Sequence, residues 1–267
     1  MSAESFANIN REALNKLKHL GFVEEKPKKN EKLRLKGKDS LIIVYNSNRV
    51  VVQGNEESIK KLKKLLTLNS FELEAINDTI VGTDEALKGD TFGGLVVAGV
   101  RANKRERKKL VELGVKDSKR LHFEKLTRLA KEIMANFAFT YIELLPEDYN
   151  RELKRSNVTE LLNRLHLQCY IKLRTKQSKH IVDKFPGCRV GDIALEKAET
   201  RCVEVAAASI VAKYIGLKQL QRLSKLANFG LPLGSTHVKE AIREIKQRGL
   251  APERFLKLHF SNVRKDL

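Results

Sequence analysis

The sequence predicts an α/β protein, a mixed sheet flanked by helices with a small α+β domain in front of it. Three observations lead there. From about residue 79 onward, strand-length apolar runs alternate with helical patterns, the order that buries a central sheet beneath helices on its faces. The first 68 residues instead set short strands between two helical patterns. Finally, 267 residues exceed the usual length of one domain, which favours a small module joined to a larger one.

The small domain is expected over residues 1–68. Phe6, Ile9, Ala13, Leu14, Leu17 and Leu20 recur at helical spacing, with Ser5 as a cap and Gly21 as a stop, so a helix is expected there. A Lys- and Pro-rich loop, Glu24 to Glu31, leads into three strands at about 32–36, 41–45 and 49–53, the last two joined by Asn46-Ser47-Asn48. Asn55 caps a second helix to about Leu66, with Lys60, Lys61, Lys63 and Lys64 on its outer face. Lys32, Arg34 and Lys36 alternate with Leu33 and Leu35, so one face of that strand is basic. Residues 1–70 carry 15 Lys+Arg against 8 Asp+Glu, which points to a phosphate-tracking surface; an ordinary solvated sheet face is the competing account.

Residues 69–78 read as a linker, and 79–267 as the larger domain. Strands are expected at 79–83 and 93–102, then helices at about 104–113 and 118–137, the latter capped by Asp117 or Ser118. A strand at 139–144 and a loop containing Pro146 precede a long helix at about 157–175. A short strand, Ile181-Val182, stops at Asp183, and strand signals follow near 188–196. A small-residue helix at about 203–225 and a last helix at about 237–248 complete the pattern.

The formal net charge is +19 and the pI near 9.8, a field that attracts polyanions without specifying chemistry. No apolar stretch is long enough to cross a bilayer, and the first ten residues show no leader pattern. Three widely spaced cysteines, Cys169, Cys188 and Cys202, argue against a disulfide scaffold or zinc knot. A cytoplasmic monomer without a membrane or an obligate protein partner is therefore expected.

In this basic chain the acids carry the information. Asp84 and Glu85 follow the first strand of the larger domain, Asp183 ends a later one, and Glu199 stands just before the small-residue helix. Adjacent strand residues point to opposite faces, so Asp84 and Glu85 converge only if the strand ends or bends there. Gathered carboxylates repel one another unless cations lie between them, and oxygen-only ligands select Mg²⁺ or Mn²⁺. A pair of such ions suits phosphodiester hydrolysis. The alternative, that each acid is an ordinary surface residue, stays open on spacing alone.

The run from Gly82 through Asp84-Glu85-Ala86-Leu87-Lys88-Gly89-Asp90 to Phe92-Gly93-Gly94 resembles the first signature of type 2 ribonucleases H. Its Gly89-Asp90 and Phe92-Gly93 details are most similar to ribonuclease HIII. The resemblance continues through Lys116-Asp117-Ser118-Lys119, Ile181-Val182-Asp183, Lys197-Ala198-Glu199 with Ala206-Ala207-Ala208-Ser209, and Lys257-Leu258-His259-Phe260-Ser261-Asn262. Residues 1–68 resemble, in position and pattern, that family's N-terminal substrate-binding domain of TATA-binding-protein-like fold.

The resemblance implies a ribonuclease H-like catalytic domain with Asp84, Glu85, Asp183 and Glu199 as the catalytic and metal-binding acids around two Mg²⁺ or Mn²⁺ ions. It implies endonucleolytic hydrolysis of the RNA strand of an RNA·DNA hybrid, leaving 5′-phosphate and 3′-hydroxyl ends, with Glu85 accepting from a ribose 2′-hydroxyl. It also implies substrate contacts by Leu87, Lys88 and Gly89, whose backbone would meet the ribose 2′-hydroxyls at the cut site, and by Ser118, Lys119, Asn157 and Lys213; helix capping competes for Ser118 and Asn157. Ser209 reads as core, and no histidine is assigned to metal.

One departure stands out. The family carries Gly-x-Gly after Asp-Glu-Ala, whereas this chain has Leu87-Lys88-Gly89. Gly89 is thus expected to be the residue free to take positive φ, and the Leu87 side chain to narrow the groove. Hybrid cleavage is expected to exceed cleavage at single embedded ribonucleotides. Incision at such ribonucleotides, as in ribonuclease HII, and an inactive hybrid-binding protein are the alternative functions.

Overall fold

The computed structural model describes residues 2–7, 17, 21–46, 49–66, 78–115, 122–234 and 236–266. The chain divides into two compact units, Met1–Ala75 and Ile76–Leu267. Apart from Asp78, the expected linker lies outside the described residues.

The first unit is an antiparallel sheet of five strands, β1 Ser2–Ala7, β2 Val23–Glu25, β3 Glu31–Lys36, β4 Ser40–Tyr45 and β5 Arg49–Gly54, in the order β1-β5-β4-β3-β2. Helix α1, Glu56–Leu66, follows. Asn55 caps it, its Oδ1 accepting from Ser58 N at 2.8 Å, which satisfies one of the otherwise unpaired amides of the first turn. Leu17, Leu35, Ile42, Val44, Val50, Val52, Ile59 and Leu62 form the core.

Two expectations need correction here. Ser2–Ala7 is a strand, with Phe6 opposite Val50 on β5, so at the start of the expected helix an unfilled sheet edge overrides the local helical spacing. Leu17 is helical, as expected, and residues 8–16 and 18–20 of that helix lie outside the described residues. The expected Lys- and Pro-rich loop from Glu24 begins as a strand instead: Glu24 and Glu25, with Val23, pair with β3.

The second unit is built on strands β6 Ile80–Ala86, β7 Leu95–Ala102, β8 Ala138–Leu144, β9 Lys179–Asp183 and β10 Ile193–Leu195, in the order β10-β9-β6-β7-β8. β10 and β6 run parallel to β9, while β7 and β8 add antiparallel, so the sheet is mixed. The helices are α2 Lys104–Glu112, α3 Phe123–Asn136, α4 Pro146–Glu152, α5 Val158–Leu173, α6 Val203–Ala227, α7 Val238–Gln247 and α8 Ser261–Asp266. Among the described residues, no helix is long and apolar enough to cross a membrane.

Both sheet faces are covered, which explains why β7 reads as a continuous apolar run. Val96, Ala98 and Val100 pack with Leu129, Ile133, Ala207 and Ile210 of α3 and α6. Leu95 and Val97 pack on the other side with Leu161, Leu165 and Cys169 of α5. The run of small residues Ala206–Ala208 lets α6 approach closely. At Gly82 an added Cβ would sit 2.4 Å from Glu204 C and Val205 N, so only glycine fits.

Three helix boundaries differ from expectation. His122, with φ −61° and ψ 152°, is the extended N-cap of α3, so that helix starts five residues later than the sequence suggests. Pro146 opens α4 instead of marking a loop, since a first-turn proline costs no hydrogen bond. The short helix α8 also goes unpredicted.

Candidate active site

Asp84 and Glu85 lie within β6, not beyond it. The expectation that the strand ends or bends at Thr83 is corrected: β6 continues to Ala86, with Asp84 opposite Ala98 and Glu85 opposite Val97 on β7. On the other edge, pairing with β9 stops at Thr83–Val182. Past that point β6 has only one neighbour, and the uncovered edge is where the acids gather.

The pleat sends the two acids opposite ways. Asp84, facing α6, hydrogen-bonds to Ser209, and its Oδ1 accepts from Glu85 N at 2.8 Å. Glu85, facing α5, has Oε2 3.2 Å from His166 Nε2 and Oε1 ion-paired to Lys88. His166 is fully buried, and its Nδ1 lies 2.9 Å from Thr83 Oγ1, which is also 2.8 Å from His180 Nε2. His180 stacks flat on Tyr170 with ring centroids 4.7 Å apart, and burial pushes its imidazole down to about 4, so it is neutral near pH 7.

Asp183 follows Val182 at the end of β9, so it flanks Asp84. Its Oδ1 accepts from Ala198 N at 2.7 Å, tying β9 to the 3₁₀ turn Ala198–Thr200 that carries Glu199. Lys197, at φ +55°, turns the chain into that position. The four predicted acids are thereby brought together: burial, then the charges of Glu85 and Asp183, push the Asp84 carboxyl up to about 8. Burial and the charges of Glu199 and Glu85 also raise Asp183, against the Ala198 amide. For Glu85 burial is outweighed by His166 and Lys88, which hold it below the usual carboxylate range.

Among the described residues, no three His, Cys, Asp or Glu side chains form a ready-made metal group. The acids straddle the end of the sheet and two of them are turned to Ser209, His166 and Lys88. The donor set nonetheless fits a hard dication: it is carboxylate oxygen, and its mutual repulsion is what such an ion removes.

Leu87 corrects a second expectation. It adopts φ +66° itself, while Gly89 is not among the positive-φ residues. That backbone turns the Leu87 side chain inward, buried with Phe92, Leu220 and Leu223, its Cγ 3.1 Å from where a Gly216 Cβ would stand. It does not narrow a groove. Lys88 is half exposed above Glu85, its Nζ 5.9 Å from the Phe185 ring centroid, and Gly89 is exposed at the tip.

Asn157 caps α5, accepting from Glu160 N at 2.9 Å. Lys213 lies half-buried on α6, one turn after Ser209. Ser118 and Lys119 lie outside the described residues. On the first unit Lys32 is exposed, but the basic face is partly neutralised: Arg34 is 3.0 Å from both Glu25 and Glu31, and Lys36 3.5 Å from Glu25. β2, which the sequence does not reveal, supplies Glu25.

Sequence reasoning passes over Thr83, His166 and His180 and reads Ser209 as core. The available signal is weak: His166 interrupts the buried face Leu161, Leu162, Leu165, Cys169 of α5, and a polar residue on such a face needs a partner.

Comparison with known proteins agrees with this architecture. The family model described as Ribonuclease HII matches residues 81–263. Ribonuclease HIII of Limosilactobacillus fermentum is 35% identical over 206 residues, covering 70% of this chain and 68% of that protein. Ribonuclease HIII of Lactococcus lactis subsp. lactis is 32% identical, covering 86% and 85%. Among solved structures, Bst-RNase HIII in complex with Mn²⁺ aligns with TM-score 0.66 and 28% identity over 99% of this chain and 98% of that one. Aquifex aeolicus RNase H3 aligns with TM-score 0.61 and 26% identity over 97% and 100%. The chain belongs to the type 2 ribonuclease H family and, within it, to the ribonucleases HIII, and is an endoribonuclease.

Proposed function

We propose that this ribonuclease hydrolyses the RNA strand of RNA·DNA hybrids in a Mg²⁺- or Mn²⁺-dependent reaction, leaving 5′-phosphate and 3′-hydroxyl ends. The observation that carries it is the junction of β6 and β9, where Asp84, Glu85 and Asp183 meet and the Asp183–Ala198 hydrogen bond adds Glu199. The solved relative in complex with Mn²⁺ supports the metal.

In this reading Asp84, Glu85, Asp183 and Glu199 hold the metal. When bound, a pair of divalent ions supplies Lewis acidity, which activates water and neutralises the departing 3′-oxygen. Ser209 orients Asp84, and His166 keeps the Glu85 carboxylate aimed at the uncovered edge of β6. Glu85 accepts from the ribose 2′-hydroxyl, the group that separates RNA from DNA. To do so Glu85 must release Lys88, whose ammonium can then move to a phosphate. The first unit grips the duplex through Lys32, Arg34 and Lys36 of β3, Arg34 and Lys36 exchanging the carboxylates of Glu25 and Glu31 for phosphates.

The test is cleavage of a uniform RNA·DNA hybrid with Mg²⁺ or Mn²⁺ and with EDTA, with analysis of product ends. Asp183→Asn should lose activity while staying folded; cleavage that persists in EDTA would refute the reading. Lys32→Glu with Lys36→Glu should weaken hybrid binding and flatten its salt dependence, and an unchanged salt slope would make the first unit a bystander.

A further inference from the structure

Among the described residues Lys257 is, with Tyr149 and Phe92, one of the three largest fully buried side chains, and no carboxylate forms an ion pair with it. Its Nζ donates to two backbone carbonyls, Asp90 O at 2.5 Å and Gly93 O at 3.0 Å. Its remaining surroundings are aromatic, with the Tyr149 and Phe260 ring centroids 5.5 and 5.7 Å from Nζ. Burying a lysine head group without an ion-pair partner is costly, and burial pushes this amine down to about 7; an apolar residue of the same length would fill the space without that cost. What an apolar residue lacks is a donor for two carbonyls that converge on one point.

Those carbonyls belong to the segment that leaves the candidate active site. It begins with the Leu87–Asp90 turn, closed by Asp90 N donating to Leu87 O at 3.2 Å, directly after β6 ends at Ala86. Around Lys257 the C-terminal segment grips the segment's far side: Lys257 N donates to Thr91 O at 3.0 Å, Gly93 N to Phe255 O at 2.9 Å, and Phe92 bridges Leu256. Asn150 of α4 braces the C-terminal segment in turn, donating to Leu256 O at 2.9 Å and accepting from Leu258 N at 3.0 Å. Asp90 has its carboxylate committed elsewhere, Oδ1 accepting from Gly234 N at 2.7 Å. The backbone bonds fix residues 91–93, and it is Lys257 Nζ that reaches back to the Asp90 carbonyl, where the turn ends.

We propose that Lys257 is a positioning residue that holds the Leu87–Asp90 turn so that its tip reads the ribose 2′-hydroxyls of a bound hybrid. This rests on the hybrid-cleaving reading above. Lys257 touches neither substrate nor the four acids; it acts through the backbone of Asp90 and Gly93.

The experiment uses the full chain with Lys257→Met, a variant that keeps length and loses all donors. Binding of a labelled RNA·DNA hybrid and of a DNA duplex of the same sequence is followed by fluorescence anisotropy in EDTA, and hybrid cleavage is assayed with Mn²⁺. The expected result is about a tenfold loss of hybrid affinity, equivalent to one discriminating contact, with DNA affinity changed less than about twofold. Unchanged hybrid binding, or equal losses on both duplexes, would overturn the proposal, since a purely structural role cannot tell RNA from DNA. If Lys257→Met does not fold, Lys257→Leu, which also removes every donor, is measured instead, and the same two outcomes decide. A wild-type chain that cleaves no hybrid refutes the proposed function; one that cleaves it but binds both duplexes alike refutes the role of Lys257.

Discussion

Replacing Asp84 by asparagine should stabilise the protein when metal is withheld. In the fold, burial and the charges of Glu85 and Asp183 raise the Asp84 carboxyl from 3.8 to about 8. Between these values the folded chain binds a proton that the unfolded chain has released, so stability falls as pH rises from about 4 to about 8. At pH 7 the unfolded carboxyl is ionised, roughly three pH units above its own midpoint, while the folded one is still mostly protonated, a penalty of about 4 kcal/mol. The asparagine side chain has no proton to release, and it retains an oxygen acceptor for Ser209 and the Glu85 amide. The assay is urea unfolding of both proteins in EDTA at pH 5 and pH 7. The variant should gain up to about 4 kcal/mol at pH 7 and clearly less at pH 5, while Mn²⁺ should stabilise the wild type and leave the variant nearly unmoved. An Asp84→Asn midpoint equal to or below that of the wild type in EDTA at pH 7 would refute the repulsive-cluster argument.

Three more outcomes follow from particular contacts. Gly82→Ala forces a Cβ to 2.4 Å from the α6 backbone and should cost about 3 kcal/mol, with weaker Mn²⁺ binding by calorimetry because Asp84 shares that strand. Leu87→Gly relieves a left-handed leucine worth about 1 kcal/mol but gives up a buried side chain worth about 2–3 kcal/mol; a small net loss in thermal unfolding is expected. Because that side chain lies in the core, the ratio of hybrid to single-ribonucleotide cleavage should change less than about twofold, and a large change would place Leu87 back in the groove. Arg107→Met strands Glu204, its partner at 2.6 Å in the core, and should cost about 3–5 kcal/mol in urea unfolding, most of it recovered in the double variant with Glu204→Met.

Periodicity and composition were enough for much of this molecule. The apolar run of β7, the helical spacing of the buried residues of α5 and the small-residue face of α6 are local patterns, and local patterns survive into the fold because each element must bury one face or both. The acids were legible for a related reason: in a chain of net charge +19, carboxylates beside strand ends need an explanation, and their order along the chain resembles one family's. Other features depend on neighbours far away in sequence. Ser2–Ala7 is a strand because β5 offers an unpaired edge, and β6 runs past Asp84 because β7 stays beside it after β9 has stopped. The same holds for side chains. Leu87 turns inward because Leu220 and Gly216 leave room for it, Arg34 is neutralised by a strand the pattern did not reveal, and His166 meets Glu85 from 81 positions further along the chain. Sequence by itself determined where the charge lies and which segments are apolar enough to be buried; which side chains turn inward and which of them meet was decided by hydrogen bonding and packing between elements, whose energies depend on partners that no local window contains.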